Sequence, residues 1–156
     1  MIDQTHKRNV LCTVALAANL LFIWGNSLLP GEASAALSQF VKDILSMFLP
    51  EGPAEDSGDG LLRKLAHFAE FACLGWLLSC MTGMHLKTIL RSVTLSLVCG
   101  FTAACIDEAL QHLSPGRAPR FTDVLIDTAG VAVGIGILWL GYRISKRKKQ
   151  KFFGGK

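Results

Sequence analysis

Four long apolar stretches limit the possible folds of this chain more than any other feature. They cover residues 10–29, 61–81, 89–106 and 124–142. A helix of about 20 apolar residues, rising 1.5 Å per residue, crosses the roughly 30 Å of hydrocarbon in a bilayer. With 51% hydrophobic and 18% charged residues among 156, little chain is left for a separate domain. The sequence therefore predicts an all-α membrane protein, a single domain over residues 1–156 built as a four-helix transmembrane bundle.

The cations are unevenly divided between the two sides of these spans. Of the 16 Lys and Arg residues, 11 lie on the side that holds both termini, including the basic tail 143–156. Because cytoplasmic loops are enriched in Lys and Arg, both termini are predicted to be cytoplasmic. Ala33-Ser34-Ala35 after the first span also resembles a signal-peptide cleavage site, but residues 10–29 are long enough to span, so a retained helix is predicted.

A shorter helix is predicted between the first and second spans. The segment 34–50, "SAALSQFVKDILSMFLP", repeats apolar residues at helical spacing, from Leu37 to Phe48. It is too short to cross a bilayer and precedes the acidic, Gly-rich loop "EGPAEDSGDG". We expect an amphipathic helix in the first external loop, lying on the membrane surface or capping the bundle.

Ionisable residues recur at one end of the last three spans. Side chains three or four positions apart share a helix face, and the faces formed in this way carry Arg63, His67 and Glu70; Asp107 and Gln111; and Asp123, Asp127, Gly130 and Gly134. Lys64 and Glu108 lie beside them. The two glycines form a G-x-x-x-G pattern, which permits close helix packing.

Chain direction places these polar ends together. The start of the second span, the end of the third and the start of the fourth must lie on the same side of the membrane. A charge in hydrocarbon costs on the order of 3 kcal/mol, so such groups usually face one another or a cavity. The sequence therefore predicts one shared polar pocket below the headgroups, with His67, Glu70 and Asp127 at similar depth.

The segments that contain these residues also resemble the motifs of a known protein family. "RKLAHFAEFACLGWLL" and "DEALQHLSPGRAPRFTDVLIDTAGVAVG", with "NSLLPGEAS" after the first span, resemble the VanZ-like family of small bacterial membrane proteins. The resemblance implies a bacterial plasma membrane location and marks these motif positions: Lys64, His67, Glu70, Asp107, Glu108, Gln111, Arg117, Asp123, Asp127 and Gly130. The family is named after a protein encoded with glycopeptide-resistance genes that protects weakly against teicoplanin. A link to antibiotic resistance is thereby implied.

Three functions are compatible with the pocket. An enzyme acting on a lipid-linked or cell-wall substrate would use its histidine and carboxylates as acid and base, or around a divalent metal. A non-catalytic protein would only bind such a ligand, and a proton-coupled transporter is the third hypothesis. No nucleic-acid module is recognised, and the ligand and oligomeric state are left open.

The candidate residues divide by chemistry. The catalytic candidates are His67, Glu70, Asp107, Glu108 and Asp127. The substrate-binding candidates are Arg63, Lys64, Gln111, Arg117 and Asp123. A divalent metal, if the protein uses one, would be held by His67, Glu70, Asp107 and Asp127.

Overall fold

The computed structural model describes residues 4–46, 58–86, 88–116 and 120–153. Throughout these ranges all regular structure is α-helical, in the order α1 (Gln4–Ser27), α2 (Gly31–Ser46), α3 (Gly58–His85), α4 (Ile89–His112) and α5 (Phe121–Phe153). The helical segments long and apolar enough to cross a membrane are Gln4–Ser27, Leu61–His85, Ile89–His112 and Phe121–Arg147. The predicted all-α class with four membrane-crossing helices is confirmed.

The helices extend beyond the apolar stretches that predicted them. α4 runs to His112 rather than ending at residue 106. Asp107, Glu108 and Gln111 therefore lie on its last turns, and the helix face predicted for Asp107 and Gln111 is confirmed. α5 continues through the basic segment to Phe153, because no Gly or Pro interrupts that segment and Lys and Arg favour helix. The basic tail therefore begins as helix.

α2 starts directly after the first membrane helix. Pro30 precedes it and accepts a hydrogen bond from Ser34 N at 3.0 Å, as expected for proline at a helix start. Gly31 N donates to Pro115 O at 3.1 Å, which ties the start of α2 to the turn after α4. The predicted short helix is confirmed over Gly31–Ser46, while Phe48 lies outside the described residues.

α3 is the central helix of the bundle, since it contacts the other four. Its most extensive interface is with α5, where a Cβ added at Gly130 would meet Phe68 O and one added at Gly134 would meet Ala72 O. The close packing predicted from the G-x-x-x-G pattern is confirmed. The buried apolar core is formed by Ile23, Phe71, Leu74, Ala103, Ala104, Val124, Val131 and Ile135.

A cluster of hydroxyl groups packs α3 against the start of α4, at the opposite end from the ionisable residues. Thr82 Oγ1 lies 2.7 Å from Ser92 Oγ and 2.9 Å from Ser96 Oγ. Both serines are fully buried. Small hydroxyl residues of this kind bring transmembrane helices together and satisfy one another without introducing charge. Large apolar side chains on the outer faces, such as Leu21, Leu90 and Leu140, are exposed and suit contact with lipid.

Candidate functional site

Asp107 lies at the centre of the polar cluster and is fully buried. Ser27 Oγ donates to its Oδ1 at 2.6 Å, and Gln111 Nε2 donates to its Oδ2 at 2.8 Å. Gln111 is one turn further along α4, whereas Ser27 is the last residue of α1. Two neutral donors therefore fix the orientation of this carboxylate, and one of them comes from another helix.

His67 stands between two carboxylates. Its Nδ1 lies 3.8 Å from Asp107 Oδ2 and 3.9 Å from Glu70 Oε2. These distances exceed those of direct hydrogen bonds, so the attraction is electrostatic when the ring is protonated. Glu70 is held from its other side, because Asn26 Nδ2 donates to Oε1 at 3.2 Å. The first, third and fourth helices thus meet around this imidazole.

Asp127 enters the same cluster from α5. Its exposed fraction is 2%, and one ligand atom from each of His67, Asp107 and Asp127 lies within 4.8 Å of the other two. Among the described residues, none donates a hydrogen bond to Asp127 or forms an ion pair with it. The nearby charges that act on it belong to Asp107, Asp123, Glu108 and Glu70. All four are acidic, so each adds negative charge around this buried carboxylate.

The cations lie at the rim of the cluster. Lys64 Nζ is 3.9 Å from Asp123 Oδ1, and the charge of Arg63 acts on Glu108. Glu108 Oε1 also accepts a short hydrogen bond from the backbone N–H of Arg120. This bond connects the end of α4 to the start of α5. The rim cations are therefore engaged with the outer carboxylates and not with Asp127.

A small cavity opens within this arrangement. Its volume is about 10 Å³, which is room for one water molecule or one ion. The lining residues are Arg63, Lys64, His67, Gln111, Asp123, Ile126 and Asp127. The structure thus brings nine of the ten predicted site residues into the cavity wall or the polar contacts around it. Arg117 lies outside the described residues.

The first helix supplies polar groups that received no role from the sequence. These groups are the side chains of Asn26 and Ser27. Ser114, which follows α4, also contributes, because its hydroxyl donates to Ser27 O at 2.9 Å. The direction of the chain could have predicted that these two side chains lie near the polar cluster. The end of the first span must lie on the same side as the start of the second, and the polar pair Asn26-Ser27 stands at that end.

The family model described as VanZ/LLP1 matches residues 10–142. The chain belongs to the VanZ/LLP1 family. Comparison with curated proteins and with solved structures returned no match. The matched region of this VanZ/LLP1 protein includes all the site residues, from Asn26 to Asp127. Family membership and the four apolar helices identify a multi-pass membrane protein.

Proposed function

We propose that the pocket of this VanZ/LLP1 protein binds the polar, anionic headgroup of a cell-envelope lipid or lipid-linked cell-wall precursor. The observation that carries the proposal is the convergence of buried ionisable side chains at one end of the bundle, with Arg63 and Lys64 lining the opening. Charged groups inside a membrane protein are costly and usually mark a ligand or ion pathway. A lipid headgroup at the adjacent interface can reach this opening.

The size of the cavity restricts what can enter. With a volume of about 10 Å³, it admits only an ion, a water molecule or a single headgroup atom. The bulk of a bound lipid would therefore lie outside, with its hydrocarbon chains along exposed apolar helix faces and its phosphate or carboxylate near Arg63 and Lys64. Binding in this way requires no large opening in the bundle.

Acid–base catalysis on that headgroup is the second candidate function. It is favoured by one observation: His67 Nδ1 lies within 4 Å of carboxylate oxygens of both Asp107 and Glu70. Carboxylates placed in this way orient an imidazole and stabilise its protonated form during proton transfer. Proton-coupled transport has less support, because side chains further into the bundle, among them Phe71, Leu74, Ala104 and Val131, are apolar and buried.

The lipid-binding proposal predicts that the double variant Arg63→Gln, Lys64→Gln retains less anionic lipid. Full-length protein is purified in mild detergent, and its bound lipid is quantified by mass spectrometry. Loss of both rim cations should lower the amount at least about tenfold, which corresponds to roughly 1.4 kcal/mol. Lys146→Gln with Arg147→Gln is the matched control, since these exposed cations lie at the other end of α5.

Equal lipid content in the two double variants would contradict the proposal. A His67→Gln variant in the same assay separates binding from catalysis, because intact lipid should accumulate on it only if the wild-type protein converts that lipid. A bound cell-wall precursor would also connect the protein with teicoplanin, a glycopeptide, and with antibiotic resistance. The teicoplanin susceptibility of cells producing each double variant tests that connection.

The proposed orientation puts the pocket at the outer face of the bacterial plasma membrane and both termini in the cytoplasm. It is supported by the cation-rich side of the sequence, which includes Arg143, Lys146 and Arg147 near the end of α5. Green fluorescent protein fused after Lys156 should therefore fluoresce, and alkaline phosphatase at the same position should be inactive. The reverse pattern would place the pocket on the cytoplasmic side and exclude an external ligand.

A further inference from the structure

Acidic side chains outnumber Lys and Arg in the pocket among the described residues. Five carboxylates meet there, and they belong to Glu70, Asp107, Glu108, Asp123 and Asp127. The cations that line the cavity belong to Arg63 and Lys64. Burying carboxylates without compensation is strongly unfavourable. An additional positive charge inside the cluster would lower that cost.

Asp127 marks a place for that charge. It is 2% exposed, and among the described residues no hydrogen-bond donor or cation contacts it. The charges of four neighbouring carboxylates act on it. A buried carboxylate is normally bound to a metal, paired with a cation or neutralised by a proton. Asp127 also lines the cavity of about 10 Å³, so an ion has room next to it.

We infer that His67, Asp107 and Asp127 bind one divalent transition-metal ion. One ligand atom from each residue lies within 4.8 Å of the other two. In a tetrahedral site, zinc–ligand distances of about 2.0–2.2 Å put donor atoms roughly 3.3–3.6 Å apart, so the three side chains need to close by up to about 1.5 Å. They come from α3, α4 and α5, so the ion would join three helices at one point.

The surroundings of Asp107 suit a metal ligand. Its two oxygens accept from Ser27 Oγ and Gln111 Nε2, which are neutral donors. Such donors fix the direction of a carboxylate without neutralising it, which is the role of outer-shell partners in metal sites. Glu70, in contrast, accepts from Asn26 and faces His67. We therefore assign Glu70 to the outer shell, and the ligand set is smaller than the four residues predicted from the sequence.

The donor atoms indicate the class of metal. Imidazole suits zinc and other first-row transition metals, and carboxylates suit harder ions such as manganese. One histidine with two carboxylates therefore fits Zn²⁺ or Mn²⁺ better than Mg²⁺ or Ca²⁺. Three protein ligands leave a coordination position open, as in catalytic zinc sites. We infer that a phosphate or carboxylate oxygen of the headgroup would fill this open coordination position. Only that part of the inference rests on the proposed function.

Metal binding can be measured without any lipid ligand. The full-length protein, carrying an affinity tag without histidine, is purified in detergent, stripped with a chelator and titrated with Zn²⁺ and with Mn²⁺ by calorimetry. We expect binding of about one ion per chain. Asp127→Asn should weaken that binding by at least about 100-fold, and Ser27→Ala, which removes an outer-shell donor, by about tenfold.

Asp43→Asn is the matched control, because it makes the same chemical change on α2, where Asp43 is exposed and accepts a hydrogen bond from Gln39, outside the polar cluster. Its metal affinity should stay within about threefold of wild type. Circular dichroism and gel filtration verify that each variant is folded, and His67→Gln replaces Asp127→Asn if the latter is not. Absence of saturable binding of either ion up to about 1 mM, or equal affinity in the Asp127 and Asp43 variants, would overturn the inference. Metal binding with unchanged lipid retention in the rim variant would contradict only the proposed function.

Discussion

Replacing Gly134 with leucine is expected to prevent assembly of the folded bundle. A Cβ at this position would overlap Ala72 O of α3, which is backbone and cannot rotate away. The two helices would have to separate, and the neighbouring approach of Gly130 to Phe68 would be lost with them. Overpacking of this kind costs about 3 kcal/mol or more. Gel filtration in detergent should show aggregated or expanded protein, and the thermal transition should weaken or disappear.

Gly136→Leu is the control for this prediction. It lies two residues away on the same helix, and an added Cβ there meets nothing within 4 Å. The leucine would face outward, where apolar side chains suit lipid, so gel-filtration and thermal profiles should match those of wild type. A Gly134→Leu protein as stable as Gly136→Leu would mean that α3 and α5 do not approach as closely as described.

Asp127→Asn is expected to stabilise the metal-free protein, although it removes a side chain proposed to be functional. Asp127 is surrounded by four other carboxylates, and it either carries an uncompensated charge or must take up a proton. Asparagine avoids both costs, and its amide can donate to the neighbouring carboxylates. Removing such buried charge should gain about 1–3 kcal/mol. This corresponds to a rise of roughly 2–12 °C in the thermal midpoint, measured in detergent with chelator.

Saturating Zn²⁺ should make the wild-type protein more stable than Asp127→Asn. A ligand that binds only the folded state at about 100 times its Kd adds roughly 2.7 kcal/mol of stability, and the variant lacks one of the proposed ligands. Asp43→Asn serves again as control and should respond to Zn²⁺ as wild type does. If Asp127→Asn in chelator unfolds at or below the wild-type midpoint, the buried carboxylate is compensated, and the electrostatic argument for the ion fails.

The architecture could be predicted from the sequence because the thickness of the bilayer sets the length of a membrane-crossing helix. Four apolar stretches predicted four crossing helices, and the glycine pattern of α5 predicted its close packing. The ends of the helices were harder to predict. Hydropathy falls at Asp107 because aspartate is polar, yet α4 continues to His112, since these polar side chains are buried against other helices and not released to solvent.

The sequence predicted which residues form the site but not which of them contact one another. Helix faces and chain direction indicate which side chains meet, so the neighbourhood of His67, Asp107 and Asp127 could be predicted. Individual partners depend on ångström-scale positions that spacing does not encode. Examples are the Lys64–Asp123 ion pair and the bond from the Arg120 backbone to Glu108. The contacts from Asn26 and Ser27 were missed because a short polar pair at the end of an apolar stretch resembles an ordinary helix terminus.

The hydrogen bond from Ser27 to Asp107 has a consequence for biosynthesis. Its two residues are 80 positions apart, which at 5–20 residues per second is about 4–16 s of translation. During that interval the first helix is already in the bilayer while its acceptor has not been made. The pocket can therefore take shape only after nearly the whole chain has left the ribosome. Prematurely terminated products would display unsatisfied polar side chains to the quality-control machinery of the membrane.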